Sequence, residues 1–122
     1  MVLKNNNIWL VSRHQGAIEW ATSFDVPFDR VVMHLDIEQV VAGDVVCGVF
    51  PLRLVVQLLK KSARVFAIEL PLGFEHRGHE LSAAQMRQLG AYWLEYISIK
   101  SVALKDFKSA VSLPLKGEDY AI

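Results

Sequence analysis

Residues 8–24 read IWLVSRHQGAIEWATSF, a short apolar run followed by a segment with helical spacing. Residues 8–12 lie between polar stretches, which is typical of a buried strand. From residue 15 to residue 24 the apolar side chains fall on one face of a helix: Ala17, Trp20, Ala21 and Phe24. A strand that leads directly into a helix predicts an α/β domain.

The same alternation continues along the chain. β-branched runs predict strands at 30–35, 44–50 and 64–70, and the apolar spacing after Pro51 predicts a helix with that proline at its first position. Ser82 and Gln85 form a capping box that opens a further helix, predicted to reach residue 97. In the tail, 99–104 and 111–115 are candidate strands. Together these elements predict an α/β fold with a mostly parallel sheet.

The link between the second and third predicted strands is short. Residues 36–43 are fewer than the dozen or so that a parallel crossover usually needs, so one strand there is a candidate for antiparallel orientation. We expect one domain over residues 1–122, with its core at about 8–97 and a C-terminal extension at 98–122.

Composition and charge exclude several classes of protein. The 122 residues are 52% hydrophobic and carry 13 basic and 13 acidic side chains, so the chain lacks the positive excess of a protein that coats long nucleic acids. A small anionic ligand in a local basic pocket is compatible with this balance. Cys47 is the only cysteine, which excludes internal disulfides and cysteine-based metal clusters.

The apolar runs are too short for membrane insertion or secretion. The longest uncharged run, residues 45–52, is far below the about 20 residues of a transmembrane helix. The first residues lack the pattern of a secretory signal. We therefore expect a soluble, cytoplasmic protein that does not contact a membrane.

Polar and charged residues collect where the predicted strands end. Ligands of open α/β sheets bind beyond the carboxyl ends of the strands. The residues there that we predict to form a site are Ser12, Arg13, His14, Gln15 and Gly16 after strand one, His34 and Asp36 after strand two, Gly48, Pro51 and Arg53 after strand three, and His76, Arg77 and Glu80 after strand four. All four histidines fall in these segments, and histidine exchanges protons near neutral pH.

Several of these residues have structural interpretations. Ser12 with Gln15 fits a capping box as well as a ligand contact, and both roles are compatible at a helix start that binds an anion. His34 and Asp36 are better explained as a strand-end pair tied to the backbone. The spacing of His76 and His79 invites a metal site, but Gly78 between them argues against the helix that such a site needs. We predict no metal and no cofactor.

Four blocks taken together resemble one family: Ser12-Arg13-His14-Gln-Gly16-Ala17-Ile-Glu19-Trp20, His34-Leu35-Asp36, Gly43-Asp44-Val-Val-Cys-Gly48-Val-Phe-Pro51 and Arg77-Gly78-His-Glu80-Leu81-Ser82. They resemble the "Csx sixteen" proteins, small CRISPR-associated accessory proteins of type III systems. The resemblance spans about residues 8–97, and the first and last blocks are the specific ones. It implies a small Rossmann-like (CARF-like) domain of three layers that forms a homodimer.

The resemblance also implies an activity. Proteins of this kind are ring nucleases, metal-independent phosphodiesterases that bind cyclic oligoadenylate and cut it to linear products with a 2′,3′-cyclic phosphate, which switches off antiviral signalling. The two-fold symmetry of such a homodimer matches the symmetry of a cyclic tetra-adenylate ring. On chemical grounds we assign phosphate charge to Arg13 and Arg77, proton transfer to His14, and orientation of a phosphate oxygen to Ser12 with the helix N-terminus. The alternatives are a non-catalytic sponge or sensor of the same ligand and a CRISPR adaptor protein.

Overall fold

The computed structural model describes residues 6–71 and 80–112, in which strands and helices alternate much as the sequence predicts. The strands are β1 (Ile8–Val11), β2 (Arg30–Val32), β3 (Val45–Gly48), β4 (Arg64–Glu69) and β5 (Tyr92–Tyr96). The helices are α1 (Gln15–Thr22), α2 (Leu52–Lys60), α3 (Ala83–Leu89) and α4 (Leu104–Ser112), with a 3-10 turn at Ile37–Gln39. The predicted α/β class is therefore confirmed.

The five strands form one sheet in the order β2-β1-β3-β4-β5. The first four strands are parallel, and β5 runs antiparallel to β4. Our expectation of an antiparallel strand beside the short 36–43 link is therefore wrong. Because β1 lies between β2 and β3, the link crosses over β1 with a single 3-10 turn in place of a full helix, and β3 remains parallel.

The predicted helix after Ser82 is shorter than expected. Its capping box is confirmed, because the Ser82 side chain accepts from the Gln85 amide and the Gln85 side chain accepts from the Ser82 amide. The helix ends at Leu89, where Gly90 takes a left-handed conformation with φ of 86°. The aromatic-rich segment that follows then pairs with β4 as β5.

The predicted tail strands are also wrong within the described residues. Residues 99–103 have no regular secondary structure, and residues 111 and 112 are the last turn of α4. The remainder of the predicted 111–115 strand lies outside the described residues.

Side chains alternate between the two faces of the sheet and produce three layers. One face packs against α2 through Trp9, Val11, Val46, Val55, Leu58 and Val65. The other face packs against α1 and α3 through Leu10, Ala17, Trp20, Ala21, Cys47 and Met86. The predicted three-layer, Rossmann-like arrangement is thus confirmed.

A fully buried carboxylate fastens the amino-terminal edge of the sheet. Asp44 accepts hydrogen bonds from Trp9 Nε1 at 3.0 Å and from the amides of Asn7 and Val41 at 2.9 and 3.1 Å, and the Asn6 side chain adds a fourth. Burial by itself raises the pKa of this carboxyl, but the four hydrogen bonds outweigh it and hold the pKa below its ordinary value. Sequence reasoning treated Gly43-Asp44 only as a turn signal and missed this role.

Among the described helices, none combines the length and the apolar character that crossing a membrane requires.

Candidate functional site

Three parallel strands end side by side at the carboxyl edge of the sheet. Val11 pairs with Val32 of β2 on one side and with Gly48 of β3 on the other. Beyond β1, the Ser12 amide donates to the Val32 carbonyl at 3.0 Å, and the Val49 amide donates to the Val11 carbonyl at 3.1 Å. The chain leaves β1 for β2 on one side and later returns to β3 on the other, so the strand order reverses here. Open α/β sheets bind their ligands at such a point.

Gly48 and Pro51 shape the β3 side of this edge. A Cβ built on Gly48 would lie 2.0 Å from the Val11 carbonyl oxygen, and the glycine has φ of 142°. A glycine is therefore required here because the backbone of β3 lies in close contact with the Val11 carbonyl of β1. Pro51 is the N-cap of α2, with φ of −71° and ψ of 154°. The helix begins one residue later than the sequence analysis placed it.

Two helices begin beside this edge, on opposite faces of the sheet. Neither α1 nor α2 has an acidic residue in its first turn, and neither cap residue makes a side-chain cap hydrogen bond. Within residues 6–71 and 80–112, the amides of Gln15, Gly16 and Ala17 have no hydrogen-bond partner. Free amides at a helix start, together with the positive end of the helix dipole, favour an anion.

Ser12 holds the turn between β1 and α1. Its hydroxyl is buried with the rest of the residue and accepts from the His14 amide at 3.1 Å. The capping box that we predicted for Ser12 and Gln15 is wrong, because the cap position is His14 and Gln15 donates to the Glu19 side chain at 3.1 Å. The Ser12 hydroxyl therefore stabilises the turn that presents Arg13 and His14.

His14 and Glu80 form the central contact of the candidate site. Nδ1 of His14 lies 2.7 Å from Oε1 of Glu80, and both side chains are exposed. A carboxylate only accepts hydrogen bonds, so this distance places a proton on Nδ1. In the neutral imidazole Nε2 is then an acceptor with a free lone pair. The contact therefore favours the Nδ1–H tautomer of His14 at the N-terminus of α1.

Backbone packing reinforces this contact two residues further along α1. A Cβ built on Gly16 would lie 1.7 Å from the carbonyl oxygen of Leu81, so α1 approaches the segment before α3 as closely as a glycine allows. Further along the two helices, Trp20 and Met86 share the same buried cluster. The two most specific sequence blocks, around residues 12–20 and 80–82, are thus neighbours in space.

Two arginines flank the same edge. Arg13 follows Ser12 directly, and Arg53 lies in the first turn of α2. Both side chains are exposed, and neither has an ion-pair or hydrogen-bond partner in the described part of the chain. Guanidinium groups bind phosphate oxygens through paired N–H donors. The electrostatics of the edge therefore favour an anionic ligand.

The remaining predicted site residues are Asp36, His34, His76 and Arg77. Asp36 accepts from the Glu38 amide at 3.1 Å and caps the 3-10 turn, which supports the structural interpretation of this residue. His34 is exposed beyond the end of β2 and forms no hydrogen bond with Asp36. His76 and Arg77, like His79, lie outside the described residues. Among the residues that are described, no three histidine, cysteine or acidic side chains are grouped so as to hold a metal ion.

Cys47 does not contribute to the site. It is buried on the α1 face of the sheet, and burial raises the pKa of its thiol to about 11. The thiol is therefore protonated near neutral pH, as the strand position in the sequence suggests.

Comparison with known proteins adds one finding. Residues 9–99 match the model of a protein family described as "Putative CRISPR-associated protein (Cas_VVA1548)". The match covers β1 from its second residue, the other four strands and the first three helices, including the described residues of the candidate site. No curated protein and no solved structure matches the chain significantly.

Proposed function

Because the chain belongs to this family of CRISPR-associated proteins, we propose that the carboxyl edge of its sheet binds a cyclic oligoadenylate and cleaves it. The substrate class comes from the resemblance to type III accessory proteins described above. The contact that carries the proposal is the one between His14 and Glu80, which fixes a proton-accepting nitrogen beside an anion-binding helix start.

Phosphate binding is the first requirement. A cyclic oligoadenylate carries one negative charge per nucleotide, and the edge offers the free amides at the start of α1 and the guanidinium groups of Arg13 and Arg53. These donors act locally, so zero net charge of the whole chain is compatible with a small ligand of this kind. Arg77, placed on phosphate by sequence reasoning, stays a prediction.

Cleavage needs a proton acceptor near the ribose. In the proposed step, Nε2 of His14 removes the proton of a 2′-hydroxyl, and the oxygen attacks the adjacent phosphorus. The new O2′–P bond forms as the bond from phosphorus to the 5′-oxygen breaks, and that oxygen takes up a proton. The products are a 2′,3′-cyclic phosphate and a free 5′-hydroxyl. Arg13 and the α1 amides offset the charge that builds on the phosphorane.

Glu80 contributes through His14. A carboxylate on Nδ1 orients the ring and stabilises the imidazolium that forms when Nε2 accepts a proton. Glu80 is therefore a positioning residue in this proposal. Two copies of the site in a two-fold dimer would match the symmetry of a cyclic tetra-adenylate.

Binding without cleavage is the second candidate. Of the three predicted catalytic residues, Ser12 is buried and engaged with the His14 backbone, so only His14 and Arg13 face solvent. A single imidazole then has to serve both proton transfers. A protein that sequesters or senses the ring needs the phosphate contacts alone, and the site supplies those without any proton transfer.

One incubation distinguishes the two candidates. Purified protein is mixed with radiolabelled cyclic tetra-adenylate in EDTA, and the nucleotide is resolved before and after the protein is denatured. Linear di-adenylate with a cyclic phosphate supports cleavage, whereas intact ring that migrates with native protein supports binding alone. Absence of both contradicts the proposal and favours the adaptor interpretation.

Two variants test the assignment of residues. We expect His14→Ala to abolish cleavage, with a smaller effect for His34→Ala, the described histidine of the same edge that lacks a carboxylate partner. If His14→Ala and Arg13→Ala both cleave the ring at the wild-type rate, the assignment is wrong.

A further inference from the structure

Two exposed apolar side chains flank the end of β1. Val49 follows β3 directly and is 51% exposed, and Met33 follows β2 directly and is 62% exposed. The backbone ties both segments to β1. On one side the Val49 amide donates to the Val11 carbonyl at 3.1 Å, and on the other the Ser12 amide donates to the carbonyl of Val32, the residue before Met33, at 3.0 Å. An exposed apolar residue therefore lies on each side of the turn that follows β1.

Val49 points to the face of the sheet on which α1 begins. Side chains alternate along a strand, and Cys47 packs in the cluster on the α1 face whereas Phe50 packs against the cluster on the α2 face. Continuing the pairing of β1 with β3 by one residue places Ser12 beside Val49. Ser12 starts the turn that presents Arg13. The exposed valine side chain is thus a neighbour of the groups to which we assign the phosphate.

This placement matches a ligand with one charged group between two apolar groups. A phosphodiester joins two nucleosides, so a phosphate held at the end of β1 has one base to either side. Neighbouring strands lie about 4.8 Å apart, which puts the residues that follow β2 and β3 about 10 Å apart across β1. Stacked bases are about 3.4 Å apart. Two bases that contact Met33 and Val49 are therefore not stacked on each other.

We propose that each site binds one internucleotide step of the ring in an unstacked conformation, with the phosphate at Arg13 and His14 and the two flanking adenines packed on Val49 and Met33. This inference rests on the proposed function and adds the conformation of the bound ligand. Contact with a base face is tolerant of base identity, so these two side chains hold the nucleosides apart and do not read adenine itself.

An unstacked step has a consequence for the reaction. The 2′-oxygen has to attack phosphorus from the side opposite the leaving 5′-oxygen. In a stacked helical strand the 2′-oxygen lies to the side of that line, and unstacking lets the ribose rotate until the three atoms are aligned. Val49 and Met33 are positioning residues in this proposal, because they act on the geometry at phosphorus through the two bases.

A fluorescent dinucleotide tests the conformation without any cleavage. The probe is a linear dinucleotide of 2-aminopurine deoxyriboside and deoxyadenosine, which has a single internucleotide step and lacks the attacking hydroxyl. Stacking quenches the emission of 2-aminopurine. We expect the emission to rise severalfold when the wild-type protein saturates the probe, as followed by fluorescence anisotropy. Emission that stays at the level of the free probe overturns the proposal, and so does a protein that binds the ring but not the dinucleotide.

Val49→Ser tests the contact on the β3 side. Loss of a few tens of Å² of apolar contact should weaken binding of the dinucleotide about fivefold. The emission of the bound probe should fall, and the single-turnover rate on cyclic tetra-adenylate at saturating protein should decrease about tenfold. Val49→Ile keeps the apolar surface and should restore wild-type emission and rate. Val41→Ser is the matched control, since Val41 is 48% exposed at the amino-terminal edge, and it should change none of these quantities.

Met33→Ser is expected to reproduce these effects on the β2 side. If Val49→Ser and Met33→Ser both behave as Val41→Ser does while the wild type cleaves the ring, the inference is wrong and the proposed function stands. A wild type that binds neither the ring nor the dinucleotide overturns the proposed function, and this inference with it.

Discussion

His14 Nδ1 lies 2.7 Å from Glu80 Oε1, although 66 positions separate the two residues in the chain. The contact joins the residue that caps α1 to the residue two positions before the cap of α3. It brings together the two sequence blocks that are the specific ones of the family resemblance, and it favours a proton on Nδ1 of the imidazole. The candidate chemistry of the carboxyl edge depends on this pair.

Removing the charge of Glu80 should slow cleavage while the fold persists. For Glu80→Gln we expect the single-turnover rate on cyclic tetra-adenylate to fall by about tenfold or more, the range seen when a carboxylate behind a working histidine is removed. Glu80→Ala removes the acceptor as well as the charge, and in 15N NMR spectra of this variant the His14 ring should lose its preference for the Nδ1–H tautomer. Glu95→Gln removes a carboxylate that is bonded to Arg64 and should change neither measurement. An unchanged tautomer signal in Glu80→Ala would contradict the proposed role.

Arg13 should contribute to affinity through charge. We expect Arg13→Ala to weaken ring binding by about tenfold, because a charged hydrogen bond contributes about 1.5 to 3 kcal/mol. The dependence of log Kd on log salt concentration should become shallower in parallel. Arg64→Ala, at the start of β4 on the opposite edge, is the matched control and should bind as the wild type does. Equal weakening by both substitutions would indicate a nonspecific effect of net charge.

Gly16 should not tolerate any side chain. A Cβ at this position would meet the Leu81 carbonyl at 1.7 Å, so Gly16→Ala has to separate α1 from the segment before α3. We expect a loss of about 3 kcal/mol or more in the free energy of unfolding, measured by urea denaturation. Gly90→Ala provides the comparison: its Cβ has room, and only the left-handed backbone, with φ of 86°, opposes it, at a cost of about 1 kcal/mol. If the two variants are equally stable, the close approach of α1 is not as described.

Asp44 should make the free energy of unfolding depend on pH in the acid range. Its pKa is lowered in the folded protein, so its contribution is complete above the ordinary value of 3.8 and is lost as the pH falls through the lower, folded value. Asp44→Asn should cost about 2 to 4 kcal/mol at pH 7, because the buried donors then face a neutral amide. The difference from the wild type should shrink towards pH 3 in denaturation measurements.

Asp36→Asn is the control for Asp44. Asp36 is exposed and accepts from one backbone amide, so we expect a change of about 1 kcal/mol or less. A wild-type protein whose stability is the same at pH 7 and pH 3 would show that the Asp44 hydrogen bonds do not lower its pKa.

Cys47 should react slowly with thiol reagents. A pKa of about 11 against the ordinary 9.0 reduces the thiolate fraction at pH 8 by about 100-fold, and burial reduces access further. We expect a chromogenic disulfide reagent to label the protein rapidly only in denaturant. Rapid labelling of the native protein would contradict the burial of Cys47.

The local sequence pattern was sufficient to predict the first four strands and the helices α1 and α2. Apolar runs bounded by polar residues and the 3.6-residue spacing are properties of neighbouring residues, so they can be read along the chain. The same reasoning failed at β5. The stretch Tyr92–Tyr96 continues the helical spacing of α3, and Gly90 and the free edge of β4 decide that it becomes a strand. The edge of β4 exists only in the folded sheet.

The candidate site, too, was predicted from the sequence only in part. The rule that ligands bind beyond the carboxyl ends of parallel strands places Arg13, His14 and Arg53 at one edge once the strands are known. The sequence does not distinguish residues that face a ligand from those that support the backbone. Ser12, Asp36 and Gly48 have structural explanations here, because their partners are backbone groups that only the fold supplies.

The sequence by itself therefore determined the α/β class, the order of its first elements and the edge at which charge collects, since periodicity and strand ends are local properties. The tertiary structure decided the pairing of His14 with Glu80, the burial of Asp44 and the conversion of Tyr92–Tyr96 into a strand. Each of these depends on distances between residues far apart in the chain, and those distances are set by packing of the two sheet faces.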